Sequence, residues 1–158
     1  MKNTITKTLL LILVVTTACF CSLAQTPKKE KFTPDGGVFF VSGKPPKAFA
    51  NLGGIALQTI DYKADGTTVQ IKPRGAFGAG GRNYKMTNIV YDGKRFSFET
   101  VAIGAVSYKF SGEILDNLKY DQEGEPKGDV LKGHLIKFVN GKKTAEADLK
   151  FEFAVGVD

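Results

Sequence analysis

Thr144-Ala145-Glu146-Ala147-Asp148-Leu149-Lys150-Phe151-Glu152-Phe153-Ala154-Val155 is the stretch whose reading decides the fold. Ala145, Ala147, Leu149, Phe151, Phe153 and Val155 fall on one side of an extended chain. Thr144, Glu146, Asp148, Lys150 and Glu152 fall on the other. A helix would scatter both sets around its circumference, whereas a strand sends successive side chains to opposite faces. This segment is therefore a strand with one dry face.

The same period of two recurs upstream. Val106, Tyr108, Phe110 and Ile114 alternate with Ser107, Lys109, Ser111 and Glu113. Phe96 and Phe98 alternate with Arg95, Ser97 and Glu99, and Thr67, Val69 and Ile71 with Thr68, Gln70 and Lys72. Strands are expected at 38–41, 55–62, 67–72, 84–91, 95–103, 105–115, 130–139 and 143–155. Alternation is softer in the second and seventh of these, as in strands covered on both sides or twisted across a corner. Asp65-Gly66, Asp92-Gly93 and Asn140-Gly141 supply residues that tolerate the positive φ of tight hairpin turns. Gly104 marks a bend, 75–81 reads as a wide glycine-rich connection, and 116–128 as an acidic polar loop. Residues 47–52 have room for one helical turn; no stretch predicts a long helix.

A row of about eight hairpin-linked strands leaves two unpaired edges unless it closes on itself. The expected fold is all-β, an antiparallel up-and-down barrel, with a β-sandwich as the alternative that buries the same alternating face. The segments Tyr91-Asp-Gly-Lys-Arg-Phe-Ser-Phe98 and Val106-Ser-Tyr-Lys-Phe-Ser-Gly-Glu113 resemble the meander of small secreted bacterial lipocalin-like (calycin-type) barrels. There, Asp-Gly turns feed an aromatic strand. The resemblance covers residues 53–153 and implies a barrel. It carries over no ligand or binding residue, and the chain departs from the lipocalin Gly-x-Trp signature in having no tryptophan.

The 158-residue chain opens with Lys2 and Lys7, an apolar run over 9–15, and the small residues Ser22 and Ala24. Those are the parts of an export signal, with cleavage expected between Ala24 and Gln25. Residues 25–36 then read as a flexible polar linker and 37–158 as one β domain. Both cysteines, Cys19 and Cys21, lie in the leader, so cleavage leaves no thiol for disulfide, nucleophile or metal. The competing reading attaches a lipid to Cys19, although Thr16 stands where such signals carry Leu. The expected address is periplasmic or secreted, lipid-anchored in the alternative. Losing Lys2 and Lys7 takes the formal charge from +6 to +4. The basic residues are interspersed with acids rather than gathered in a stripe, which argues against nucleic acid as a partner. No later apolar run approaches membrane-spanning length.

Candidate chemistry is sparse. His134 is the single histidine, and no Gly-x-Ser-x-Gly elbow or mature cysteine accompanies it, so no catalytic set is predicted. Zinc needs three or four His, Cys or carboxylate ligands. The acidic loop around Asp116, Asp121, Glu123 and Glu125 lacks the order of a calcium-binding EF-hand loop. Neither a metal nor a cofactor is implied. Arg74 and Arg82 bracket the glycines of 75–81 and are the candidate anion-binding residues, without the following helix that phosphate loops require. An eight-stranded barrel is either filled by its own side chains or wide enough for one small ligand. In the second case Tyr84, Phe98 and Tyr108 are the expected lining, the phenols orienting a small apolar molecule. The leading expectation is thus an exported, non-enzymatic binder of such a molecule. A packed structural or protein-interaction module of the cell envelope comes second, and a small enzyme using tyrosine and carboxylates third.

Overall fold

The computed structural model describes residues 32, 34–116 and 118–155; the expected export signal and most of the expected 25–36 linker lie outside them. Ten strands follow one another: β1 (Gly36–Val41), β2 (Leu52–Tyr62), β3 (Thr68–Ala79), β4 (Arg82–Tyr91), β5 (Arg95–Thr100), β6 (Val106–Ile114), β7 (Lys119–Tyr120), β8 (Pro126–Lys127), β9 (Leu131–Val139) and β10 (Lys142–Ala154). The helical turn expected near 47 is a single 3-10 turn, Lys47–Phe49, whose Phe49 is buried. Eight strands form a closed antiparallel barrel in the order β1-β2-β3-β4-β5-β6-β9-β10, β10 returning to β1. Closure is made by Val38, Phe39, Phe40 and Val41 opposite Ala154, Phe153, Glu152 and Phe151. The barrel, rather than the sandwich, is the architecture, and both sheet edges of the meander are consumed by it. β7 and β8 form a separate small hairpin inside the 116–128 connection.

Directly opposed residues in an antiparallel pair share a face, so the register shows what fills the lumen. Phe98 faces Phe110, Phe110 faces Leu135, and Leu135 faces Ala147. Phe39, Phe77, Phe96, Phe98, Phe110 and Phe151 are zero to 1 % exposed. Their rings meet at centroid distances of 5.4 Å (Phe98–Phe110), 5.6 Å (Phe96–Phe98 and Phe110–Phe151) and 5.9 Å (Phe39–Phe96). Each such side chain contributes about 1.5–3 kcal/mol on burial, with about 0.5–1.5 kcal/mol more per well-oriented aromatic pair. The alternation read from 144–155 is borne out as far as Phe153: Leu149 and Phe151 are buried while Glu146, Asp148, Lys150 and Glu152 are not. Val155, expected on the dry face, lies past the end of the strand and is exposed.

Two irregularities shape the wall. In β4, Asn88 takes φ 50° and the register with β5 slips between Thr87 and Val90. This bulge changes the parity of the strand, so that Tyr84 and Met86 point inward before it and Ile89 and Tyr91 join the core after it. The second corrects the sequence reading of 75–81. Gly75, Gly78 and Ala79 are strand residues of β3, and the turn is Gly80-Gly81 alone, with φ of 59° and 72°. Glycine at 75 serves close approach, since a Cβ there would collide with the Ala56 carbonyl and the Met86 methyl. β3 and β4 pair only from Ala76–Lys85 to Ala79–Arg82. Below that point they part, and β3 continues on β2 alone as far as Thr68 opposite Tyr62. The chain just before β1 is held to the barrel: Thr59 donates its N–H to the Asp35 carbonyl at 2.9 Å, and Phe32 packs edge-on against Phe153 at 5.1 Å.

Candidate functional site

Neighbouring strand ends bring three polar side chains to one end of the barrel. Tyr84 lies near the start of β4, Tyr108 near the start of β6, and Lys137 near the end of β9. Tyr108 and Lys137 are directly opposed, so both point inward, and Ala145 across β10 leaves Lys137 room. Tyr84 and Tyr108 meet edge-to-face at 5.1 Å, and Phe77 lies 4.8 Å from Tyr108. Both phenols are buried and Lys137 is half-buried. The Thr100 hydroxyl, also buried, accepts the Tyr108 backbone N–H at 2.9 Å and so fixes the strand that carries the phenol. Burial, then the adjoining Tyr84, raises the Tyr108 pKa above its ordinary value, keeping it a neutral donor. The chain 47–52 crosses above this cluster, and between them is a half-enclosed recess of about 120 Å³ lined by Phe49, Asn51, Ala79, Tyr108 and Lys137 among others.

The residues singled out in sequence reach different places. Tyr84 and Tyr108 come together, and Phe98 adjoins them through Phe77 at 5.7 Å, but Phe98 sits in the packed interior. Arg74 projects from the outer wall of β3, ion-paired to Asp61 at 2.7 Å and hydrogen-bonded to Gln58 at 3.1 Å. Arg82 opens β4 beside the Gly80-Gly81 turn, opposite Ala79, so the two arginines do not converge. In the acidic loop, Asp121 Oδ1 accepts the N–H groups of Glu123 and Glu125, both at 2.9 Å, closing the turn that carries β7 into β8. Among the described residues no three His, Cys, Asp or Glu side chains gather in a metal-binding group. Lys137 was missed, although residues 131, 133, 135 and 137 share one strand face and the signal was present in that spacing.

His134 stands on the outer wall with Ser111 and Asp148 directly opposite on its two neighbours. That row has the composition of a hydrolytic triad but not its connections. Nδ1 lies 2.8 Å from Asp148 and Nε2 lies 3.0 Å from Glu146, so both ring nitrogens are engaged by carboxylates and neither addresses Ser111. These contacts, the Asp148 hydrogen bond foremost, raise the His134 pKa above its ordinary value. The result is a charged surface cluster.

Two larger recesses accompany the one of about 120 Å³. One, of about 1130 Å³, runs beside the place where β3 and β4 part; its lining joins outward residues such as Val38, Ala56, Arg74 and Lys85 to Leu57, Ile60 and Phe153 at the margin of the core. Another, of about 810 Å³, lies under the 42–46 segment against the outer faces of β6, β9 and β10. Among the described residues no helix is long and apolar enough to cross a membrane. Compared with protein-family models, with curated proteins and with solved structures, the chain matches none.

Proposed function

We propose that this chain is an exported, non-enzymatic interaction module of the cell envelope, whose protein partner meets the barrel from outside. The observation that carries this reading is the filled lumen: six phenylalanines with almost no exposure occupy the space that a small apolar ligand would need. Export rests on the leader sequence. The groove of about 1130 Å³ where β3 leaves β4 supports an outside contact. There the β3 backbone has no ladder partner among the described residues on its β4 side below Ala76, and an unpaired strand edge accepts an extended segment through backbone hydrogen bonds. Exposed Val69 and Val90 lie on the two strands flanking that opening, and exposed Tyr62 lies on β2 opposite Thr68.

Crosslinking in intact cells of the native host tests the proposal, using a photoreactive residue in place of Val69 and, as a control, one in place of Lys150, which lines the other recess. A discrete adduct with one envelope protein at position 69 and none at 150 is expected. A native mass spectrum showing one small apolar molecule per chain, with no protein adduct at 69, would overturn it.

A further inference from the structure

The end of the barrel away from that groove carries a feature the interaction reading does not use. The recess of about 120 Å³ has Lys137 and Lys47 in its lining, together with Tyr108 and Asn51, and no carboxylate. Neither lysine has an ion-pair partner among the described residues, a property they share with exposed lysines such as Lys63 and Lys72; what sets Lys137 apart is its inward, half-buried position. Lys137 is also the one lysine on the inward face of β9, set opposite a buried tyrosine at the margin of the aromatic core. An inward ammonium with phenol and amide donors around a small space forms an environment rich in donors and poor in acceptors. An unpaired ammonium there is stabilised by a compact anion that can accept several of those hydrogen bonds at once.

We infer that this recess is a binding site for a small oxyanion, a carboxylate or tetrahedral anion no larger than acetate or phosphate, held by Lys137 and Tyr108. The size limit follows from the space: at about 30 Å³ per liquid water, the recess holds about four waters. Buried Phe49 lines it, and Phe77 packs behind Tyr108, so an acid with a long apolar tail has nowhere to extend inward. Lys47 stands at the open side and favours entry of negative charge.

The experiment is a titration of protein expressed from the full chain with sodium acetate and, separately, sodium phosphate. Ionic strength is held constant with sodium chloride, and binding is read from the backbone amide resonances of Asn51, Gly80, Tyr108 and Lys137. Saturable shifts with a millimolar dissociation constant are expected for at least one anion, and none for chloride. Lys137→Met should weaken that binding about 10-fold or more, since it removes a charge-assisted hydrogen bond. Tyr108→Phe should weaken it by about 3- to 10-fold. Lys137→Arg, which keeps the charge, should stay within about 3-fold of the parent and guards against loss of folding as the cause. Arg74→Ala, on the opposite end, should change nothing. Absence of saturable shifts at these amides with both salts, or equal affinity in Lys137→Met, would overturn the inference.

Discussion

The ring of Phe110 lies over the backbone of Gly133: a Cβ added at Gly133 would come within 2.6 Å of Phe110 Cε2. The same ring covers Gly112, where an added Cβ would stand 2.7 Å from Cζ. Gly112 and Gly133 are directly opposed on β6 and β9, and together they make the flat floor on which a large ring fits inside a narrow barrel. Gly133→Ala should therefore destabilise the fold by about 1–3 kcal/mol through overpacking. Urea unfolding measures it. The double variant Gly133→Ala with Phe110→Leu should lose less than the sum of its parts, since the pair shares one space.

Tyr91 makes the opposite prediction. Its hydroxyl is buried without a hydrogen-bond partner among the described residues. Removing an unsatisfied buried group relieves its desolvation cost, so Tyr91→Phe should stabilise the protein by about 1 kcal/mol. Burial first, then the charges of Asp35 and Asp92, hold the Tyr91 pKa well above 10. The folded state thus disfavours the phenolate. Its advantage from the neutral phenol is complete below the unfolded pKa of about 10 and is lost as pH rises toward the folded value. Thermal melts from neutral to alkaline pH should show Tyr91→Phe declining less steeply than the parent, Tyr108 supplying part of what decline remains.

The cluster around His134 sets a pH window. His134 is raised above 6.5, so its contribution is whole below that pH and fades as pH climbs through the folded value. Glu146 is lowered below 4.5, first by Lys143 and then by His134. Its contribution is whole above 4.5 and fades as pH falls through the folded value. Stabilisation is greatest between the two. The groups are substantially exposed, so replacing His134 by Gln should cost under about 1 kcal/mol near pH 5.5 and less near pH 8.5. Asp148 makes the shorter bond, at 2.8 Å against 3.0 Å, but its side chain is 92 % exposed against 46 % for Glu146. Water therefore screens Asp148 more. Asp148→Asn should lower the histidine midpoint seen by NMR, and Glu146→Gln should lower it comparably.

Asn88 tests the β4 bulge. At φ 50° a β-branched residue is strained, whereas glycine is not. Asn88→Val should cost about 1–2 kcal/mol from backbone strain. Asn88→Gly should lose only the hydrogen bond to Glu99, 2.9 Å long and exposed. Comparing their denaturation midpoints separates backbone strain from side-chain bonding.

Much of this molecule was readable from period and turn chemistry. The alternation in β5, β6 and β10 identified the lumen side chains, and Asn140-Gly141 makes the tight hairpin its composition suggested, with φ of 52° and 72°. Closure was less legible, since a sandwich buries the same alternating face; it depends on the β1–β10 pairing, a contact spanning almost the whole domain. Gly75 and Gly78 misled because a glycine chosen for close approach between strands looks identical in sequence to one chosen for a turn. Tyr84 and Tyr108 were legible as polar groups on the dry face. Lys137 was harder to see because the partly apolar outward residues of β9, Ile136 and Phe138, blur the alternation around it.

The central claim, that the barrel fills itself, is tested most directly by titrating the folded protein with an environment-sensitive apolar dye. A self-filled lumen predicts no saturable, one-to-one rise in fluorescence below the dye's own aggregation threshold. A stoichiometric, micromolar binding curve that disappears in Phe98→Trp, where a larger ring blocks the interior, would contradict it.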